Sequence, residues 1–278
     1  MQFQVRPSET RGGADHGWLK TFHTFSFADY WDPSFNNFGA LRVVNEDRVA
    51  PTTGFPTHEH REAEIFSYII SGELSHKDSM GNVETMKRGD IQHTVGGQGI
   101  AHSEYNSHNS VGNHFLQVWA TPNQRGLKPK YYTRHFTDDE KADKLAHIVA
   151  PIGSPNVLDQ REDKVPGSSP SPINAALNTF ATVLSPGKSL QHTFQPTIKG
   201  VDGAKIMYAH LTQTSGFNTK AAAKDGKTAV IRIKNGDSEA VLGEGDGLFI
   251  RGAKTGDVLE IESTGGSPAE LVLFEMDQ

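Results

Sequence analysis

A chain of 278 residues with 35% hydrophobic and 22% charged side chains has the makeup of a globular protein, long enough for one large domain or two smaller ones. Its net charge of −6 argues against a surface built mainly to neutralise phosphates, so direct nucleic-acid binding is not expected. Cysteine is absent, which excludes disulfides, thiolate zinc sites, cysteine-ligated iron–sulfur clusters and cysteine nucleophiles.

The 28 glycines and 14 prolines, with no long helix-forming block, point to a turn-rich β protein. The opening residues Met1, Gln2, Phe3, Gln4, Val5 and Arg6 contain no apolar core of a signal peptide. No apolar run approaches the roughly 20 residues of a membrane span, so no membrane association is expected. A cytoplasmic location follows as the expectation, with the nucleus open to a eukaryotic chain.

In chain order, residues 41–45 read as a strand, and 64–70 as another that closes at Ser71 and Gly72. Residues 74–78 continue the pattern, and Met80, Gly81 and Asn82 supply a turn that tolerates positive φ. A second turn at Arg88, Gly89 and Asp90 precedes a strand at 91–95, and 115–120 is a further strand. Short strands at this spacing favour a barrel or sandwich. Thr137 with Glu140 forms a capping-box pattern, predicting a short helix or polar turn over 137–148. Residues 151–172, rich in Pro, Gly, Ser and charge, read as a loop between halves. The charge runs at 138–141 and 161–164 read as solvated surface.

The second half repeats the β pattern at 180–184, 205–212, 229–233 and 270–276. Gly89-Asp90 recurs as Gly245-Asp246, and a hairpin turn at Lys234, Asn235 and Gly236 matches the one at Gly81. Two similar β-barrels in tandem account for this repeat. The predicted division is an N-terminal barrel over 1–136, a linker or helical segment over 137–172 and a C-terminal barrel over 173–278.

Histidine is distributed unevenly. Seven of the 13 fall between positions 58 and 114, whereas residues 173–278 hold only His192 and His210. Two pairs stand out: His58-Glu59-His60 and His102-Ser103-Glu104. In a strand, residues i and i+2 share a face, so each pair can aim two donor atoms at one point. On neighbouring strands the two pairs would converge as three imidazoles and a carboxylate. Such a set suits Fe(II), Mn(II), Ni(II), Cu(II) or Zn(II) and leaves positions open for substrate or dioxygen, as in a catalytic site. Glu64, four residues beyond His60, has the same parity and competes with Glu104 for the carboxylate role. A plainer reading makes His58 and His60 polar residues flanking a turn after Gly54, Phe55 and Pro56. Phe25, Phe27, Phe38, Phe66, Phe115 and Trp119 are either barrel core at alternating positions or the lining of an apolar mouth. His76, His93, His108 and His114 are candidates only for contacts around such a site.

The stretches from His23 to Tyr30, Phe38 to Val49 and Gly54 to Arg61, with His76 to Asn82 and Gly97 to Asn106, resemble the pirin family of the cupin superfamily. That resemblance implies an all-β bicupin: two tandem cupin-type β-barrels with few short helices and a metal only in the N-terminal one. It places the family's metal ligands on His58, His60, His102 and Glu104, and so favours Glu104 over Glu64. The family's metal is usually iron, so one Fe(II) is expected, with Mn, Ni, Cu or Zn compatible. The resemblance also implies a quercetin 2,3-dioxygenase activity. A small oxygenated aromatic substrate and O2 would then be the partners, and Glu104 would be the catalytic base. The alternative role in the family is a non-enzymatic, iron-dependent, redox-sensing cofactor of transcription factors, which would require a protein partner.

Overall fold

The computed structural model describes residues 1–161, 169–196 and 203–278. Of the charge run at 161–164, only Arg161 falls among them, and residues 162–168 of the expected linker lie outside the described residues.

The chain begins with strand β1 (Gln2–Arg6). There follow β2 (Gly12–Asp15), β3 (Leu19–His23), β4 (Leu41–Val49), β5 (Gly54–His60), β6 (Glu64–Ser71) and β7 (Glu73–Asp78). Next come β8 (Val83–Lys87), β9 (Asp90–Val95), β10 (Ile100–Tyr105), β11 (Asn113–Ala120) and β12 (Lys130–His135). A single turn of helix, α1 (Asp138–Lys141), leads to β13 (Ala146–Pro151) and β14 (Ser171–Ile173). The remaining strands are β15 (Leu177–Leu184), β16 (Ser189–Thr193), β17 (Lys205–Leu211), β18 (Val230–Asn235), β19 (Ser238–Gly243), β20 (Gly247–Ala253), β21 (Val258–Ser263) and β22 (Ala269–Asp277). The expectation of an all-β chain with few short helices holds. No helix among the described residues is long and apolar enough to cross a membrane.

Two compact units form. The histidine-rich unit comprises Gly12–Phe136 with the described part of Asn156–Ala175, and the other comprises Met1–Arg11, Thr137–Pro155 and Ala176–Gln278. In the histidine-rich unit one sheet runs β12-β9-β6-β11-β4-β3-β2 and a second runs β5-β10-β7-β8. The other unit contains β1-β20-β17-β22-β15-β13 and β16-β21-β18-β19. Its ladders, like those of the first, are antiparallel. Among the described residues no ladder joins the two sheets of a unit, so each unit is a two-sheet sandwich rather than a closed barrel. The sheets meet through apolar side chains from both: Ile69 and Phe115 of one with Leu74 and Met86 of the other in the first unit.

Strand β6 shows why the sequence folds this way. Residues Glu64 to Ile70 are all buried, because β6 is a central strand between β9 and β11 and has no solvated face. A near-continuous apolar run is what such a position requires. The repeated Gly-Asp signature also has a physical basis. Gly89 and Gly245 take φ of +85° and +88°, and their N–H groups donate to the carbonyls of Ile69 and Leu211. The following aspartates, Asp90 and Asp246, accept the N–H three residues back, from Lys87 at 2.7 Å and Gly243 at 3.0 Å. A left-handed glycine and a turn-closing carboxylate thus open the same strand in each unit.

Aligned on those glycines, the units share strand order. β9-β6-β11-β4 matches β20-β17-β22-β15, and β5-β10-β7-β8 matches β16-β21-β18-β19. The chain's first strand, β1, pairs β20 as β12 pairs β9. The capping box at Thr137 is formed, with both of its hydrogen bonds present. One reading of this segment needs correction: Lys141 is fully buried rather than solvated, its carbonyl accepting from the Thr182 hydroxyl of β15 at 3.2 Å and its Nζ lying 3.6 Å from the Asp138 carboxylate.

Candidate metal centre

Strand β10 lies between β5 and β7, and this placement brings the paired residues together. His102 is opposite His58 on one side and Asp78 on the other, while Glu104 is opposite His76. The two-residue spacing operates as the pattern requires: His60, His102 and Glu104 are buried and Glu59 is exposed. Between β5 and β10 the register slips, since His102 pairs His58 but Glu104 pairs Phe55. The extra residue makes a bulge in β5, a strand at its sheet's edge, and Pro56 is accommodated there without a ladder N–H to offer. The reading of His58 and His60 as turn-flanking residues therefore gives way to a strand beginning at Gly54.

The three imidazoles converge. Nε2 of His102 is 2.9 Å from Nε2 of His60 and 3.1 Å from Nε2 of His58. Separations near 3 Å match adjacent donors on one ion at ~2.1 Å from each nitrogen. Nδ1 of His58 donates to the carbonyl of Pro56 at 2.8 Å, which fixes the tautomer and leaves Nε2 with its lone pair. Burial, reinforced by the neighbouring His58, lowers the pKa of His60 to about 4. Burial and the adjacent imidazoles lower that of His102 to about 2. Both rings are therefore neutral donors at neutral pH.

Glu104 belongs to a second, overlapping group with His76 and His102, whose donor atoms lie within 4.8 Å of one another. Its Oε2 accepts from Nε2 of Gln117 at 2.9 Å, while Oε1 is buried without a hydrogen-bond partner. Burial lifts its pKa to about 7, opposed by the Gln117 bond and assisted by Asp47. Glu64, the competing carboxylate, is engaged elsewhere, accepting from Nε2 of His93 at 2.9 Å and Nδ2 of Asn174 at 2.6 Å.

Of the remaining histidines, His76 is the one drawn to the centre, its Nε2 3.2 Å from Oδ2 of Asp78 and its ring stacked on Tyr131. His93 bonds Glu64, His114 bonds Glu46, and His108 accepts two loop N–H groups. Among the aromatic candidates, Phe25, Phe38, Phe66 and Phe115 are core. Phe27 and Trp119 are partly open; Trp119 meets the His60 ring edge-on at 4.9 Å and Phe27 at 5.6 Å. Gln117 and Asp78 were not singled out by sequence reasoning. The available signals were a polar residue at inward parity in the apolar strand at 115–120, and the same i, i+2 spacing in His76-Lys77-Asp78.

The second unit shows what the same framework does without these side chains. Its register places Ile261 opposite Ile233 where Glu104 faces His76, and Leu259 opposite His192 where His102 faces His58. Leu273 pairs Ala209, and Ala209 pairs Leu248, where Gln117 pairs Ser67 and Ser67 pairs Gln92. All of these but His192 join its hydrophobic core, and His192, at the His58 position, is engaged by Oε2 of Glu275 at 2.8 Å.

A family model described as Pirin matches residues 4–120. The quercetin 2,3-dioxygenase of Escherichia coli K12 is 46% identical over 132 residues, covering 48% of this chain and 57% of that protein, so the chain matches little more than half of that relative's length. A Zymomonas mobilis protein provisionally given the same name is 40% identical over 190 residues, covering 68% of this chain and 75% of the relative. The crystal structure of the bacterial pirin YhhW from E. coli, in complex with nickel(II), aligns over 99% of both chains with a TM-score of 0.77 and 27% identity. With that extent of identity and a shared fold from end to end, the chain belongs to the pirin family.

Proposed function

We propose that this chain is a metal-dependent dioxygenase that opens the ring of a quercetin-type flavonol with O2, using an ion held by His58, His60, His102 and Glu104. The observation that carries the reading is the convergence of three imidazole Nε2 atoms next to a buried carboxylate. The activity named for the E. coli relative supports the substrate class. The donors suit a divalent transition ion: two of the imidazoles are held neutral, the third has its tautomer fixed, and Oε1 of Glu104 is buried and unpartnered. Fe(II) is the ion assigned, with Ni(II), Mn(II), Cu(II) or Zn(II) compatible. When bound, the ion supplies a Lewis-acid centre that acidifies a hydroxyl and gathers substrate and dioxygen.

The chain's own residues do the rest. The Glu104 carboxylate, buried beside the three imidazoles with Oε1 unpartnered, accepts the proton of the flavonol 3-hydroxyl. Trp119, partly open and edge-on to His60, and Phe27, partly open and edge-on to Trp119, orient a planar ring by edge and face contacts. Buried Ile69, Phe115 and Leu74 keep bulk water from the interior behind the site.

Anaerobic loading with Fe(II), elemental analysis and oxygen uptake with and without quercetin test the proposal on one sample. One ion per chain and quercetin-dependent uptake are expected. Glu104→Gln, loaded with excess metal, should lose turnover by about 10²–10⁴-fold because an amide cannot take the proton. Metal without uptake would reject the flavonol substrate, and failure to bind metal would reject the site.

A further inference from the structure

The interior of the histidine-rich unit contains polar side chains that neither the proposed ligand set nor the hydrophobic core accounts for. Gln117 on β11 donates from Nε2 to Oε2 of Glu104 at 2.9 Å. Its Oε1 accepts from the hydroxyl of Ser67 on β6 at 2.8 Å. Ser67 is completely buried, as is Gln92, whose Oε1 lies 3.3 Å from the same hydroxyl and whose Nε2 donates to Thr94 at 3.0 Å. Burying such a row in place of apolar side chains is unfavourable unless every contact is satisfied. In the second unit Leu273, Ala209 and Leu248 stand at the Gln117, Ser67 and Gln92 positions, so the fold does not itself require polarity there.

We propose that Gln117, held in one amide orientation by Ser67, is a positioning residue that restricts Glu104 to a single donor oxygen. This rests on the metal-site reading above. The orientation follows from the partners' chemistry. A carboxylate can only accept, so it selects the NH2 end of the amide, and the Ser67 hydroxyl then donates to the carbonyl end. Turning the amide over would set its carbonyl against the carboxylate and leave the hydroxyl without that acceptor. With Oε2 engaged by Gln117, Oε1 remains as the free atom, buried and unpartnered. A carboxylate tied in this way offers one oxygen to an ion and leaves room for an exogenous ligand, whereas an untethered carboxylate can turn both oxygens to the ion or swing away.

The test compares wild type, Gln117→Leu, Ser67→Ala and the double variant, each loaded with Co(II). Affinity is measured by chelator competition and coordination by the visible absorption spectrum. Gln117→Leu copies the side chain of the second unit and should lower affinity by about 10–100-fold, the usual cost of losing a hydrogen-bond partner behind a metal ligand. Its Co(II) spectrum should change. Ser67→Ala should move affinity and spectrum in the same direction but less, and its effect should shrink in the Gln117→Leu background, because Ser67 acts mainly by holding the amide while its hydroxyl also reaches the Glu104 carboxylate. Wild-type affinity and spectrum in a folded Gln117→Leu would overturn the proposal. If that variant does not fold, an unchanged Co(II) spectrum in Ser67→Ala would overturn it, as would additive effects in the double variant. Failure of wild type to bind Co(II), or its retention in His102→Ala, would instead reject the metal-site reading.

Discussion

His102 is common to both groups of donors, and Glu64 belongs to neither, so these two residues separate metal binding from stability. His102→Ala removes the imidazole whose Nε2 is about equally near those of His58 and His60. It should abolish stoichiometric metal binding, measured by equilibrium dialysis, while the apo protein keeps its folding transition. Glu64→Gln should do the reverse. The native carboxylate accepts from both His93 and Asn174, and an amide must turn an NH2 group towards one of those donors. The expected cost is about 1–3 kcal/mol in urea unfolding, with metal stoichiometry unchanged. Loss of metal in Glu64→Gln would show the carboxylate roles to be exchanged. At this scale the convergence of His58, His60 and His102 is legible from two-residue spacing. The choice between Glu64 and Glu104 is not, because parity is the same for both and what separates them is the partner each meets from a distant strand. The tautomer-fixing carbonyl of Pro56 depends on a bulge that periodicity does not reveal.

At the scale of elements, the centre depends on how closely β5 approaches β10. A Cβ at Gly54 would sit 2.2 Å from the carbonyl oxygen of Glu104 and 2.5 Å from Cα of Tyr105. Both obstacles are backbone, so neither can move aside as a side-chain tip would. Gly54→Ala should therefore push β5 away from β10 and draw His58 and His60 from His102. The expectation is a stability loss of about 1–3 kcal/mol in chemical unfolding, together with weakened metal binding. Gly81→Ala is the control: Gly81 has φ of +90° with open space around it, so substitution strains one turn without moving a ligand strand. Equal effects of the two substitutions on metal affinity would refute the account. The strands read at 41–45, 64–70, 74–78, 91–95 and 115–120 all lie within observed strands; four of them carry apolar or β-branched residues that mark them, while 74–78, with Leu74 as its one apolar residue, is marked by the turns at Gly72 and Gly81 that bound it. β1 and β12 are edge strands of mixed polarity, and nothing local in Gln2–Arg6 indicates pairing with Gly247–Ala253.

For the whole molecule, the tandem repeat was visible only as two Gly-Asp turns and similar hairpins, whereas the sheets repeat strand for strand. Side-chain identity explains the discrepancy: at matched positions the histidine-rich unit holds Gln117, Ser67, Gln92, His102 and Glu104 where the other, apolar there, holds Leu273, Ala209, Leu248, Leu259 and Ile261, so the sequences differ where the backbones do not. The apolar unit still encloses ionisable groups, and their effect is a pH dependence of folding. His147 on β13 stacks on Phe180 with ring centroids 4.3 Å apart and bonds Asn178 through Nε2 at 3.0 Å. Burial lowers its pKa from 6.5 to about 4, with His192 adding to the effect and the Asn178 bond opposing it. Between those values the unfolded chain binds a proton that the folded chain does not. The contribution of His147 to stability is therefore intact above pH 6.5 and falls as pH drops towards 4, by up to about 3 kcal/mol. Other groups titrate in the same window, so the contribution is isolated by difference from His147→Phe, which preserves the ring stack and removes the titration. Measured by urea unfolding of the metal-free proteins, the stability of wild type relative to the variant should decline steadily from pH 7 to pH 4.5. A constant difference across that range would show that His147 is not held neutral by its burial in the fold.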